Sequence, residues 1–257
     1  MTRQELIDFF TSYWGADFLA QWRIADTHGA NGIQIKGREE VKKIALGVSL
    51  NQDFLDRSVD WGADTCVLHH GERFEFFHFL LPGYIKNRLK TIFTNDLNIF
   101  GFHGVMDAHP KYGHNALILR NLKGEVLGRI MNNWGFYGDL SERARLDTIS
   151  EKCQQLFDHE IFVVGKPSQM IKRVGVCSGG GIPNREQLAD LSEKEIELFI
   201  TGEISESRPH LFSESEICYF SCGHYATEKI GLYELERNLK KEFSELETKF
   251  IDITNPL

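Results

Sequence analysis

The chain has 257 residues, of which 42% are hydrophobic and 26% are charged. That composition is ordinary for a globular protein, allows one large domain or two modest ones, and argues against disorder. The formal net charge of −8 does not favour binding to a polyanion, and no basic run offers a local exception. A nucleic-acid partner is therefore not expected.

Membrane insertion and secretion are not expected either. No apolar stretch approaches the roughly 20 residues of a membrane span, and the first residues, Met1 to Glu5, have no signal-peptide pattern. The five cysteines are an odd number without close pairing, which indicates reduced thiols. We predict a cytoplasmic protein in which Cys66 and Cys177 are small core residues.

Hydrophobic periodicity predicts alternating helices and strands along the whole chain. In the first half, it predicts helices at 4–13, 51–60 and 78–90, and strands at 33–35, 43–49, 66–68 and 98–103. In the second half, it predicts strands at 124–128, 161–165, 171–177 and 250–253, helices at 141–157 and 184–195, and a charged helix ending near residue 247. This alternation indicates an α/β fold.

Two stretches of the chain have the same pattern of strand, helix and strand. The first runs from Gly47 to Gly71, which are 24 positions apart, and the second from Gly175 to Gly202, which are 27 apart. We interpret them as βαβ units of two related α/β halves, with a metal site in the cleft between the halves. The predicted domains are 1–124 plus 224–257, which carries the metal ligands, and 125–223. Chance similarity between βαβ units is the alternative.

A pair of histidines follows the apolar run that ends the first βαβ unit. His69 and His70 come directly after Leu68, at the carboxyl end of a predicted parallel strand, where open α/β sheets place ligands. Neighbouring side chains on a strand point to opposite faces, so at a strand end each histidine could hold one of two neighbouring ions. The alternative is that both are surface or capping histidines.

Two further clusters have the same chemistry. Asp107 follows the strand that ends near His103, and Pro110 and Gly113 place it on a predicted loop crowded by His103, His109 and His114. His224 and Glu228 are four residues apart, which on a helix puts both side chains on one face. An exposed histidine with a first-turn glutamate is the alternative for this pair.

Five residues together form a candidate metal site: His69, His70, Asp107, His224 and Glu228. Three imidazoles and two carboxylates can hold two divalent ions in mixed coordination, with Glu228 as the bridging carboxylate. These ligands accept Zn, Fe, Mn or Ni, so the residues do not identify the metal. Two neighbouring ions lower the pKa of a bound water, which implies hydrolytic chemistry.

The chain resembles the NIF-three-like (NGG-interacting-factor-three-like) proteins, many of which are named GTP cyclohydrolase I type 2 homologues. The resemblance covers nearly the whole chain, and it depends on the order and spacing of several short sequence motifs. They are Asn31-Gly32-Ile33-Gln34, Gly62-Ala63-Asp64 with His69-His70, His103 through Asp107-Ala108-His109-Pro110, Gly179-Gly180-Gly181, Thr201-Gly202-Glu203-Ile204-Ser205-Glu206, and Gly223-His224-Tyr225-Ala226-Thr227-Glu228.

The resemblance implies two divalent ions per chain, held by the five residues above. It also implies a toroidal homohexamer, a trimer of dimers, with the sites facing an internal cavity. His103 matches a family histidine near the metals and is expected to orient a ligand or move a proton. Gly71-Glu72-Arg73 replaces the His-Pro common after the paired histidines, which puts a substrate contact there in doubt.

The function expected first is a metal-dependent hydrolase acting on an unidentified small molecule, with Glu228 or His103 handling protons. GTP cyclohydrolase activity is one version, although the chain has no P-loop, and phosphoester or peptide hydrolysis fits equally. Gly179-Gly180-Gly181 either cradles a phosphate with its backbone N–H groups or is simply a turn. The alternative function is a metal-handling chaperone or an adaptor or scaffold protein without turnover.

Overall fold

A computed structural model describes residues 1–27, 29–74 and 80–255. It confirms an α/β fold, with two sheets and helices. The helices are α1 (Arg3–Trp14), α2 (Ala16–Ala25), α3 (Gln52–Trp61), α4 (Gly83–Thr94), α5 (Gly104–Ala108), α6 (His114–Asn121), α7 (Leu146–Phe157), α8 (Arg185–Glu193), α9 (Arg208–Glu214), α10 (His224–Thr227) and α11 (Ile230–Glu242). The strands are β1 (Gly32–Ile35), β2 (Lys43–Ser49), β3 (Thr65–His70), β4 (Asn98–Gly101), β5 (Gly124–Ile130), β6 (Gly135–Arg145), β7 (Phe162–Val164), β8 (Met170–Cys177), β9 (Leu198–Thr201), β10 (Cys218–Ser221) and β11 (Glu247–Phe250).

The chain divides into two compact units. The first contains Met1–Met106 and Leu232–Thr254, and the second contains Asp107–Gly231. The predicted domain boundaries lie elsewhere, after residues 124 and 223. Asp107, His224 and Glu228 therefore belong to the second unit, whereas the prediction assigned all five ligands to one domain. Division into independently folding domains stays a prediction.

The first unit contains a five-stranded sheet in the order β1-β4-β3-β2-β11. All neighbours in this sheet are parallel except β1 and β4. The βαβ unit β2–α3–β3 is present, with α3 capped by the Asn51 side chain, which accepts a hydrogen bond from the Phe54 amide at 2.9 Å. Phe54 packs onto β2 at Gly47, where a Cβ would lie 2.4 Å from its ring.

The second unit contains a six-stranded sheet in the order β5-β6-β8-β9-β10-β7. Its central strands β8, β9 and β10 are parallel, and β8–α8–β9 is the second predicted βαβ unit. A capping box between Asn184 and Gln187 begins α8. Because the three parallel strands end at one edge of the sheet, they bring together the residues that follow Cys177, Thr201 and Ser221.

Each unit has its own hydrophobic core, and the cysteines belong to these cores. All five are buried free thiols, as the sequence predicts for Cys66 and Cys177. Burial raises the pKa of the Cys66 thiol to about 12 and that of Cys218 to about 11. Within the described ranges, no helix is long and apolar enough to cross a membrane.

Three sequence predictions about local structure are wrong. Asp107 lies in α5 rather than on a loop, because Pro110 and Gly113 act only after that helix has ended. Residues 141–145 extend β6 instead of beginning a helix, because the end of this stretch pairs with β8, Ala144 with Ile171 and Arg145 with Met170. The last strand covers 247–250 rather than 250–253, because β11 pairs in parallel with β2 from Lys43 to Leu46.

The predicted helix at 78–90 is found in part. Its first two residues, 78 and 79, lie outside the described residues, and the helix α4 begins at Gly83 and continues to Thr94. Pro82 precedes it as the cap residue, which fits the predicted break near Pro82-Gly83.

Candidate metal centre

The paired histidines lie at the end of β3, each with its Nδ1 atom bound. His69 is buried, and its Nδ1 lies 3.0 Å from the carbonyl oxygen of Phe102. A carbonyl can only accept, so Nδ1 carries the proton and Nε2 is the basic nitrogen. The Nδ1 of His70 lies 2.9 Å from the hydroxyl of Ser49, and the two imidazole rings are 4.5 Å apart.

Gln34 fixes the chain just after these histidines. Its side-chain amide donates to the Glu72 carbonyl at 2.6 Å, and its oxygen accepts from the Glu72 amide at 3.0 Å. Glycine at position 71 leaves room for this contact, because a Cβ there would lie 1.9 Å from the Gln34 side-chain oxygen. The Glu72 carboxylate pairs with Arg88 at 3.2 Å.

His103 is held by Asp26, a residue that the sequence analysis missed. The buried Asp26 carboxylate accepts hydrogen bonds from His103 Nδ1 at 2.9 Å, the Gly104 amide at 2.8 Å and Asn31 at 3.0 Å. Burial raises the pKa of this carboxyl, but the three hydrogen bonds outweigh burial and hold the pKa well below its usual range. The carboxylate is therefore ionised, and it fixes the proton of His103 on Nδ1.

The first unit thus brings three imidazoles together. One nitrogen from each of His69, His70 and His103 lies within 4.8 Å of the others. In each case Nδ1 is bound to a protein oxygen, which is the arrangement usual for histidines that bind metals through Nε2. Imidazole donors of this kind suit a divalent ion of the transition series. His103, which is not one of the five predicted ligands, lies beside His69 and His70.

Asp107 is held by residues from two other elements of the second unit. The Ser178 hydroxyl donates to Asp107 Oδ1 at 2.8 Å. Asn115 connects the same residues through their backbones, because it donates to the Asp107 carbonyl at 3.2 Å and accepts from the Ser178 amide at 2.7 Å. These bonds orient a buried carboxylate, and the sequence gives no sign of either partner.

His224 and Glu228 meet as their spacing predicts. Gly223, with φ of +87°, leads into α10, and His224 Nε2 lies 3.1 Å from Glu228 Oε1. His224 Nδ1 lies 2.5 Å from Glu203 Oε1. Burial by itself lowers the pKa of the His224 imidazole, but Glu228 and Glu203 outweigh burial and raise that pKa to about 9. Metal binding at Nε2 would therefore release a proton.

The three glycines after β8 allow the backbone to approach this pair. Gly179 has φ of +58°, and a Cβ there would lie 2.0 Å from Glu228 Oε1. The Gly179 amide donates to Thr227 at 3.0 Å, and the Gly181 amide donates to the Ser178 carbonyl at 3.2 Å. Two of the three amides are thus used inside the protein, which favours close packing over a phosphate cradle.

His114 differs from the other histidines. It is buried, and its Nδ1 accepts a hydrogen bond from the Gly231 amide at 3.0 Å, so Nε2 carries the proton in the neutral ring. In the neutral ring, His114 therefore has no basic nitrogen left at Nε2, unlike His69. His109 caps a turn, with Nδ1 accepting from the amides of Lys111 and Tyr112.

These features define an α/β protein of two sheets with clustered histidines and carboxylates that could bind a divalent metal ion. The chain belongs to the Duf34/NIF3 (NGG1p interacting factor 3) family, whose model matches residues 1–256. This confirms the family resemblance of the sequence.

Curated relatives and solved structures agree with this assignment. The chain is 34% identical to a GTP cyclohydrolase 1 type 2 homolog of Escherichia coli K12, over 89% of this chain and 91% of the relative. It is 32% identical to the protein of that name from Yersinia pestis, over 89% and 91% of the two chains. The solved protein ybgI, described as of unknown function, has a TM-score of 0.87 at 31% identity, with all of both chains covered. A protein from Thermus thermophilus has a TM-score of 0.85 at 25% identity, again with full coverage.

Proposed function

We propose that His69, His70, Asp107, His224 and Glu228 bind two divalent ions, and that the protein is a metal-dependent hydrolase. The observation that carries this proposal is the hydrogen bonding of the three histidines. Each has Nδ1 hydrogen-bonded to a protein oxygen, from Phe102, Ser49 or Glu203. The Phe102 carbonyl and the Glu203 carboxylate can only accept, and the Ser49 hydroxyl is able to accept in the same way, an arrangement that suits metal binding through Nε2.

The chain's own residues would divide the work of hydrolysis. Bound divalent ions supply an acidified water and stabilise negative charge that develops on the substrate. Ser178 holds the Asp107 carboxylate in place, and Asp26 holds His103 with Nε2 as its basic nitrogen. His103 Nε2 is therefore the group that we propose as proton acceptor, with Glu228 as the second candidate.

The substrate class is proposed more broadly than the name of the relatives. Those relatives are called GTP cyclohydrolase 1 type 2 homologs, and GTP is the first compound to assay. The amides of Gly179 and Gly181 are engaged within the protein, so the triple glycine gives phosphate recognition little support. Phosphoesters and peptides are equally suitable tests. We retain the cytoplasmic location and the toroidal homohexamer, a trimer of dimers, as further proposals.

Elemental analysis tests the metal site directly. The wild-type protein would be purified without an affinity tag or added metal, beside a variant carrying His69→Ala and His224→Ala. We expect about two metal ions per chain in the wild type and loss of metal in the variant. Absence of metal from both proteins, even after anaerobic loading, would contradict the proposal.

Turnover is tested separately from metal content. The metal-loaded protein would be assayed with GTP, other nucleotides and peptides, beside Asp107→Ala. A full rate in Asp107→Ala would show that the site does not catalyse the reaction. Rapid metal exchange with a calibrated chelator, with no turnover of any substrate, would favour the metal-handling chaperone or scaffold alternative.

A further inference from the structure

Glu203 has no role in the proposed ligand set, yet it contacts one of its members. It follows Gly202 at the end of β9, and its Oε1 lies 2.5 Å from His224 Nδ1. A carboxylate can only accept, so Nδ1 of His224 carries a proton and cannot bind an ion. Nε2, which lies 3.1 Å from the proposed ligand Glu228, is the nitrogen that gives up its proton when an ion binds. We infer that Glu203 is a positioning residue that fixes the ring of His224 for metal binding, an inference that rests on the proposed function.

The backbone of Glu203 is itself held from inside the unit. The hydroxyl of Tyr219, a fully buried residue of β10, donates to the Glu203 carbonyl. The preceding carbonyl, of Gly202, accepts from the Ser221 hydroxyl and from the Gly223 amide, both at 3.0 Å. Hydrogen bonds from β10 and from Gly223 therefore hold the backbone that follows β9 and carries Glu203.

Gly202 allows this approach. A Cβ at Gly202 would lie 2.6 Å from the Gly179 carbonyl oxygen and 2.6 Å from His224 Cα. These are backbone atoms, which cannot turn aside as a side chain can. The Thr201-Gly202-Glu203 sequence thus combines a strand end, a residue small enough to pass His224, and a carboxylate that reaches its ring.

The Glu203 side chain is 44% exposed, so its contact with His224 is not needed to fill a core. Outer carboxylates of this type orient metal-binding histidines, and their loss typically costs about 10–100-fold in metal affinity. We therefore expect the loss of Glu203 to weaken metal binding much more than it weakens the fold.

The test measures Co²⁺ binding to the full-length protein by competition with a chelating dye, for wild type, Glu203→Ala, Glu203→Gln and Glu206→Ala. Glu206 is an exposed carboxylate on the same segment, so its variant controls for charge. We expect Glu203→Ala to lower the affinity of at least one site for Co²⁺ about 10–100-fold. Glu203→Gln should lose less, because its amide oxygen still accepts from Nδ1–H, and Glu206→Ala should match wild type.

Two further readouts separate positioning from a structural role. The thermal midpoint of metal-free Glu203→Ala should match that of Glu206→Ala, while its visible Co²⁺ absorption spectrum should differ from wild type. Equal Co²⁺ affinity in both alanine variants, with wild type binding normally, would overturn the inference alone. A wild type that binds no Co²⁺ would overturn the proposed function and this inference together. Glu203→Gln decides the question if Glu203→Ala does not fold.

Discussion

The two βαβ units, β2–α3–β3 and β8–α8–β9, have the same order of elements, but different functional side chains follow or end their second strands. In the first, β3 ends in His69-His70 and is followed by Gly71-Glu72, so the strand delivers proposed ligands directly. In the second, β9 is followed by Gly202-Glu203, and Glu203 contacts His224 of α10, a proposed ligand. The same strand–helix–strand arrangement thus presents two proposed ligands in the first unit, and in the second unit it presents a carboxylate that orients a proposed ligand.

The glycine that follows each strand end, Gly71 or Gly202, packs against a different kind of neighbour. Gly71 lies against the Gln34 side chain, whereas Gly202 lies against backbone atoms of Gly179 and His224. A side chain can change rotamer, but the backbone of a packed sheet cannot move far without cost. The second unit should therefore tolerate a methyl group at its glycine less well than the first.

The largest effect is expected for Gly202→Ala. Its Cβ would lie 2.6 Å from both the Gly179 carbonyl oxygen and His224 Cα, so the strand ends have to separate. We expect a loss of about 3 kcal/mol or more in the free energy of unfolding, at the upper end for overpacking. Chemical denaturation measures it, with Gly83→Ala as the control, since a Cβ at Gly83 meets nothing within 4 Å. Equal stability of the two variants would contradict the comparison.

The next largest effect is expected for Asp26→Asn in the first unit. The substitution removes a buried carboxylate with three hydrogen bonds, from His103, Asn31 and the Gly104 amide. We expect a loss of about 2–3 kcal/mol at neutral pH, because hydrogen bonds to charged groups are the stronger ones. Chemical denaturation at neutral pH measures the difference in the free energy of unfolding between wild type and Asp26→Asn. Asp60→Asn is the control, because Asp60 is exposed.

The pH dependence of this difference has a definite sign. The pKa of Asp26 is lowered in the folded protein by its hydrogen bonds, so its ionised form stabilises the fold above the unfolded pKa, about 4. That stabilisation is lost as the pH falls below that value towards the folded pKa. The gap between wild type and Asp26→Asn should therefore narrow below about pH 4. A gap that widened on acidification would contradict this account of Asp26.

The sequence predicted candidate site residues but not the residues that orient them, such as Asp26. His69 and His70 follow a recognisable buried strand, and His224 and Glu228 are a helical pair, so local pattern was enough to select them as candidates. Asp26 and His103 are 77 positions apart, and no periodicity connects them. The orientation of a site histidine by a residue distant in sequence depends on the tertiary fold, which local pattern does not contain.

The same reasoning explains the errors in secondary structure. Residues 141–145 are polar and mostly exposed, so periodicity could not distinguish a helix from a strand. The end of this stretch pairs with β8, as Ala144 does with Ile171, which lies 27 positions further along the chain. By contrast, the βαβ units were predicted because their parallel strands contain buried runs of mostly apolar residues, such as 44–48 in β2 and 66–68 in β3.

A smaller effect than at Gly202 is expected for Gly71→Ala. The added Cβ would meet only the Gln34 side chain, at 1.9 Å from its oxygen. We expect a loss of about 1–2 kcal/mol, because Gln34 can turn aside but then gives up its bonds to Glu72. The double variant Gly71→Ala/Gln34→Ala should lose less than the sum of the two single variants, measured by a double-mutant cycle. Strict additivity would show that Gln34 is not the obstacle.

The smallest effect is expected for Ser178→Ala, which tests support of a carboxylate in the second unit. The change removes the hydroxyl that donates to Asp107 Oδ1, but Asn115 still connects the backbones of both residues. We therefore expect Asp107 to stay in place and the stability to fall by only about 1 kcal/mol. Metal affinity should fall less than in Glu203→Ala, because a carboxylate has a second oxygen to offer while His224 has a single metal-binding nitrogen. Co²⁺ titration of both variants measures this, and a greater loss in Ser178→Ala would show that the carboxylate, rather than the imidazole, depends more on its outer partner.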